Sequence, residues 1–103
     1  MTPWLTIIGI GDDGAAGLSP AARALLDAAE TVIAPERVLA STQLPGKRIE
    51  PWTGRLHETV EDLLRRRGEQ ITILATGDPM HFGIGATLAK RIPIEEMRIV
   101  PSP

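Results

Sequence analysis

The chain has 103 residues, of which 43% are hydrophobic and 23% charged, with a formal net charge of −2 at pH 7. These values predict one ordered globular domain and exclude a largely disordered chain. The absence of cysteine excludes disulfides and thiolate metal sites, and an acidic balance with few aromatic residues argues against a nucleic-acid surface. No apolar run reaches the roughly 18 residues of a membrane helix and no secretory signal is present, so we expect a cytoplasmic protein without a membrane anchor.

The first half of the chain alternates between strand and helix patterns. Residues 5–10 are nearly all apolar and β-branched, which predicts a strand buried on both faces. Ser19 and Pro20 form an N-cap followed by proline at the first helical position, and the predicted helix has an apolar stripe. That stripe comprises Ala22, Leu25, Leu26 and Ala29. The pattern then predicts a strand at 31–34, a short helix at 36–41 and a weak strand at 47–50.

The second half contains the clearest amphipathic helix. Its apolar residues recur at helical spacing, at Leu56, Val60, Leu63 and Leu64. The helix is predicted to end in the three arginines 65–67, read as a helix-end charge cluster, with Gly68 as C-cap. His57 lies on the polar side of this helix and is predicted to be solvated, while Trp4 and Trp52 are predicted to be packing residues. A strand at 71–75, a loop at 76–83, a helix at 84–91 and a strand at 98–100 complete the prediction.

Five strands alternating with four helices predict an α/β fold with a five-stranded, mainly parallel sheet flanked by helices. Each strand-to-strand distance leaves room for a crossover helix, which parallel strands require. The chain ends at Pro103 directly after a strand, and we therefore expect residues 1–103 to be one part of a larger enzyme.

The loop after the first strand reads Gly-Ile-Gly-Asp-Asp-Gly from residue 9, formally the GxGxxG pattern of dinucleotide-binding domains. That pattern requires a helix to begin near the third glycine and hold a pyrophosphate. Here the helix is predicted to begin at Ser19-Pro20, and Asp12 and Asp13 would repel phosphate. The loop therefore favours an uncharged or positive ligand, with a dinucleotide site and a plain connecting turn as the alternatives.

The loop after the fourth strand reads Thr-Gly-Asp-Pro-Met-His-Phe-Gly from residue 76. Gly77 lets a ligand approach the backbone, Pro79 stiffens the turn, and Asp78 can accept hydrogen bonds from an amine or ribose hydroxyls. The alternative is an N-capping aspartate beside an incidental proline. His81 lacks companions at ligand spacing, so no metal site is predicted.

Taken together, the two loops resemble those of the tetrapyrrole methylases, the class III S-adenosylmethionine-dependent methyltransferases. The hallmarks of that family are a glycine-rich loop after the first strand and a small-Gly-Asp-Pro-x-x-aromatic-Gly segment after the fourth. The amino-acid sequences of residues 17–23, 35–39 and 77–88 resemble those of the cobalamin-pathway branch of this family. Within that branch they resemble enzymes that methylate C5 of the corrin ring.

The resemblance implies the first domain of a two-domain enzyme, usually a dimer, that transfers methyl from S-adenosylmethionine to a corrin-ring precursor. Cofactor contacts would come from Asp12, Thr76, Gly77, Asp78 and His81. Asp12 stands where many members have proline, and His81 where the family usually has an apolar residue. Substrate contacts would come from Gly9, Gly11 and Asp13, and anionic substrate groups could pair with Arg37, Lys47, Arg48 and Arg55.

The resemblance identifies no catalytic residue. The second domain that it implies is expected to be absent from residues 1–103, and these residues alone are expected to be inactive. Three alternatives stay open at this point: a dinucleotide-binding domain, a binding module without catalysis, and a tetrapyrrole methylase acting on a different ring carbon.

Overall fold

The computed structural model describes residues 3–10, 17–34, 39–40, 46–51, 56–76, 88 and 90–100. Its strands are β1 (Leu5–Ile10), β2 (Thr31–Ala34), β3 (Arg48–Pro51), β4 (Ile71–Thr76) and β5 (Met97–Val100). Its helices are α1 (Pro20–Ala28) and α2 (Leu56–Arg65), and a 3-10 turn spans Ile94–Glu96. No helix in this described part of the chain is long and apolar enough to cross a membrane.

All five strands form one parallel sheet in the order β3-β2-β4-β1-β5. The predicted α/β fold with a parallel sheet is therefore confirmed. Because every strand runs the same way, the sheet has one edge where the strands begin, here called the amino edge, and one where they end, the carboxyl edge. The order also shows that β4 inserts between β1 and β2, which are consecutive in the chain.

Each face of the sheet is covered by its own apolar cluster. On one face, Ala22 and Leu26 of α1 pack on Ile8, Ile10 and neighbouring strand residues. On the opposite face, Val60 and Leu63 of α2 pack on residues of β1, β2 and β4. Leu88 belongs to the same cluster. Burial on both faces explains why the inner strands consist of almost uninterrupted apolar residues.

The start of α1 follows the predicted signal, whereas α2 ends two residues earlier than predicted. The Ser19 side chain accepts a hydrogen bond from the Ala22 amide at 3.2 Å, as an N-cap does. Helix α2 ends at Arg65, and Gly68 adopts a φ of +99° in the turn that follows. A residue with a side chain would be strained at this angle, so glycine is the appropriate choice.

Several strand boundaries in the structure differ from the predicted ones by one residue. The weak strand begins at Arg48 instead of residue 47 and includes Pro51; β4 extends through Thr76, and β5 begins at Met97. The 3-10 turn before β5 was not predicted. Of the short helix predicted at 36–41, only 39–40 are described, and both are helical. Of the helix predicted at 84–91, Leu88 is helical, Lys90 and Arg91 form a turn instead, and 84–87 and 89 lie outside the described residues.

Candidate functional site

The carboxyl edge of the sheet brings together the ends of β1 and β4. These two strands are direct neighbours, with Gly9 opposite Ala75 and Ile10 opposite Thr76. From β1 the chain continues to β2, two places away on one side, and from β4 it continues to β5, two places away on the other. This divergence is a topological switch point, where open α/β sheets form a ligand-binding crevice.

The structure describes two of the residues predicted to contact ligands at the two loops. Gly9 is buried in β1, one residue before the carboxyl edge, and the backbone of Thr76 is the last position of β4. The other predicted loop contacts lie outside the described residues: Gly11, Asp12, Asp13, Gly77, Asp78 and His81. The predicted substrate partners Arg37 and Arg55 lie outside them too. In the sequence, Asp12 follows Ile10 by two residues and Asp78 follows Thr76 by two residues, so both loops start from adjacent strand ends.

Small residues occupy the facing positions just before this edge. Gly9 has no side chain and Ala75 has a single methyl group, whereas the preceding facing pair is Ile8 with Leu74. Ala75 and Leu88 belong to the apolar cluster on the α2 face, so the edge rests on a buried, close-packed base. A close-packed base of this kind holds the strand ends that carry the two loops in fixed relative positions.

The amino edge carries a different set of polar contacts. The buried carboxylate of Glu96 accepts a hydrogen bond from Trp4 Nε1 at 2.9 Å and one from Arg67 Nε at 2.6 Å, and it also pairs with the Arg67 Nη2. The hydrogen bond from Arg67 holds the pKa of Glu96 below its usual value. Trp4 is buried in the apolar cluster on the α2 face, which confirms that it is a packing residue. Its indole also donates a hydrogen bond to Glu96.

The predicted role of Lys47 and Arg48 in binding substrate anions is wrong for a site at the carboxyl edge. Arg48 is the first residue of β3 and so lies at the amino edge. The Lys47 Nζ donates to the backbone oxygens of Asp27 at 2.8 Å and Ala29 at 2.7 Å, where it caps the end of α1. This cation stabilises the negative end of the helix instead of facing the switch point.

Arg66 joins α2 to the outer strand β3. Its Nη1 and Nη2 atoms each lie 2.8 Å from one oxygen of Glu50, a bidentate pair, and Asp62 and Glu69 lie within 3.6 Å of the guanidinium. These hydrogen bonds hold the pKa of Glu50 below its usual value and raise that of Arg66. The run of arginines predicted only helix-end charges and not this pair, because nothing in the local sequence pattern links residues 50 and 66.

Metal ligation finds no support in the described ranges, where no group of three His, Cys, Asp or Glu residues could hold an ion. The strand order places the switch point, where open α/β sheets bind ligands, at the ends of β1 and β4.

Comparison with known proteins gives a consistent result. A family model described as Tetrapyrrole (Corrin/Porphyrin) Methylases matches residues 4–103. A precorrin-6Y C(5,15)-methyltransferase [decarboxylating] from Sinorhizobium sp is 42% identical over 105 residues, covering all of this chain and 25% of that protein. A cobalt-precorrin-7 C(5)-methyltransferase from Salmonella typhimurium is 34% identical over 99 residues, covering 94% of this chain and 48% of that protein.

Solved structures agree on the fold. The methyltransferase CobJ superimposes with a TM-score of 0.72 at 21% identity, over 98% of this chain and 46% of CobJ. The cobalt precorrin-4 methyltransferase CbiF gives 0.68 at 23% identity, over 96% of this chain and 46% of CbiF. This chain thus spans between a quarter and a half of the length of these proteins. The family match over nearly the whole sequence, on the sheet and switch point described above, establishes that the chain belongs to the tetrapyrrole methylase family.

Proposed function

We propose that this protein is the N-terminal part of an S-adenosylmethionine-dependent methyltransferase that methylates C5 of a corrin-ring precursor in cobalamin biosynthesis. The observation that carries the proposal is the pairing of β1 with β4 at the switch point, because it brings the starts of both family-type loops to one crevice. The names of the two relatives both specify C5, which favours this carbon over others. Family membership also favours a methylase over a dinucleotide-binding domain or a non-catalytic module.

The charge of the two loops fits S-adenosylmethionine, which carries positive charge at its sulfonium and its amine. Asp12 and Asp78 each lie two residues beyond paired strand ends, so both carboxylates belong to the same crevice in this proposal. Thr76, Gly77 and His81 would complete the cofactor contacts. When bound, the cofactor supplies an electrophilic methyl group. The role of the protein is to align that group with the ring carbon and exclude water.

The tetrapyrrole would lie against the start of the first loop, at Gly9, Gly11 and Asp13. Glycine at position 9, opposite Ala75, places no side chain next to the proposed ring site. Because Lys47 and Arg48 lie at the amino edge, Arg37 and Arg55 remain as the proposed partners of the anionic substrate groups. We propose that residues 1–103 form the first domain, that the cofactor lies between it and a second domain, and that the whole enzyme is a cytoplasmic homodimer.

Calorimetric titration of the full-length protein with S-adenosylmethionine tests the proposal. We expect Asp78→Asn to weaken binding about ten-fold, or about 1.4 kcal/mol, because it removes a charge that faces a cation. The matched control is Asp27→Asn on α1, whose side chain is 64% exposed and pairs only with the exposed Arg23 among described side chains. If Asp78→Asn binds S-adenosylmethionine as tightly as wild type does, Asp78 is not part of the site. If the protein binds NAD in preference to S-adenosylmethionine, the proposed function is refuted.

A further inference from the structure

An open cavity of about 470 Å³ lies at the amino edge of the sheet, the edge opposite to the switch point. Its lining comes from the starts of three adjacent strands. Thr31 begins β2, Arg48 begins β3, and Glu69 and Gln70 lie in the turn just before β4. The volume is in the range of pockets that hold small molecules, about 300–1,000 Å³. A ligand in this cavity and a ligand at the carboxyl edge would therefore occupy separate sites.

The strand register places the cavity on the face of the sheet that α2 covers. Arg48 and Glu50 are two residues apart on β3, so their side chains lie on the same face, and Glu50 pairs with Arg66 beyond the end of α2. Thr31 is directly opposite Arg48 in the register and shares that face. Thr31 is only 7% exposed, so it forms the floor of the cavity, whereas Arg48 is exposed at its side.

Two opposite charges line this cavity without pairing. The Arg48 amide donates to the backbone oxygen of Glu30 at 2.9 Å, so the two residues are neighbours. Both side chains are nevertheless exposed, and neither forms an ion pair with the other or with any other residue in the described ranges. A guanidinium and a carboxylate that border one cavity but stay apart can each bind the opposite charge of a ligand placed between them.

We propose that this cavity binds a small zwitterion of the amino-acid type. The Arg48 guanidinium binds the carboxylate of the ligand through two parallel hydrogen bonds, the geometry that arginine favours. Glu30 binds the ammonium group, and Glu69 adds a second carboxylate, which lies 3.6 Å from Arg66. Because these charges are exposed, we expect weak binding, with a dissociation constant of about 1 mM. The inference does not depend on the proposed function, since it uses no residue of the carboxyl edge.

Saturation-transfer NMR titration of the full-length protein with L-glutamine tests the inference, without and with saturating S-adenosylmethionine. We expect L-glutamine to bind equally in both conditions. N-acetyl-L-glutamine lacks the ammonium charge and L-glutaminamide lacks the carboxylate, so each should bind more weakly. Arg48→Gln should weaken binding of L-glutamine about ten-fold. Glu30→Gln should weaken it about five-fold, since the carboxylate of Glu69 remains.

Arg98→Gln and Glu95→Gln are the matched controls, because they remove the same two charges from exposed positions outside the cavity. Both should bind L-glutamine as wild type does. The inference is overturned if wild type gives no saturation transfer to L-glutamine, or if Arg48→Gln and Glu30→Gln bind it with wild-type affinity. Displacement of L-glutamine by S-adenosylmethionine would assign it to the cofactor site and overturn the inference as well.

Discussion

Replacing Lys47 with methionine should loosen the end of α1. The ammonium group donates to two backbone oxygens at 2.7 and 2.8 Å, and its side chain is half-buried. Two charge-assisted hydrogen bonds at the lower end of their range contribute about 3 kcal/mol. Ordering the lysine side chain costs about 1.5 kcal/mol of that. The remaining stabilisation of about 1.5 kcal/mol corresponds to a change of roughly ten-fold in local opening.

Hydrogen exchange of the full-length protein measures this opening directly, because backbone amides exchange when a helix end frays. We expect amides in Pro20–Ala28 to exchange about ten-fold faster in Lys47→Met than in wild type, with the largest effect in the last turn. The matched control is Lys90→Met, which changes an exposed lysine in the same way and should leave α1 unaffected. Wild-type exchange throughout α1 in Lys47→Met would refute the capping role.

Two further predictions concern stability. Arg66 holds the pKa of Glu50 below its usual value, so the pair stabilises the fold above the unfolded-state pKa and this contribution is lost as the pH falls through the folded-state value. Glu50→Gln should therefore lower the free energy of unfolding by about 0.5–1 kcal/mol at pH 7, with a smaller difference near about pH 3 in urea titrations; equal differences at both pH values would contradict the pairing. Leu26→Ala should cost about 2–5 kcal/mol because Leu26 is fully buried, whereas the half-buried Leu25 should cost less when truncated in the same assay; equal losses would show that α1 packs differently.

The sequence predicted the regular elements well because their signals are local. The strand at 5–10 and the helix after Ser19 are specified by β-branched runs, a capping serine and a proline, and all of these act within a few residues. Strand β3 begins at Arg48, one residue later than predicted, a difference within the usual variation of element boundaries. Lys47 bonds to carbonyls 18 and 20 residues earlier, and this contact cannot be read from residues 47–50.

Local sequence patterns could not predict the strand order or the long-range ion pairs. The insertion of β4 between β1 and β2 creates the switch point, yet alternating strands and helices are compatible with several strand orders. Glu50 lies 16 residues from Arg66 and Glu96 lies 29 residues from Arg67, so the run of arginines predicted only helix-end charge. The candidate site was predicted mainly through the family resemblance of two loops, of which the structure describes only Gly9 and the Thr76 backbone.

The residues of β3, an outermost strand of the sheet, disfavour pairing with a further strand. Strand β3 is short and outermost; Arg48 and Ile49 are exposed, Glu50 is held by Arg66, and the strand closes with Pro51. Proline cannot donate a backbone hydrogen bond, and charged residues on an outer strand disfavour the docking of a foreign strand. Additional strands, and with them fibril-like self-association, are therefore discouraged on this side of the molecule.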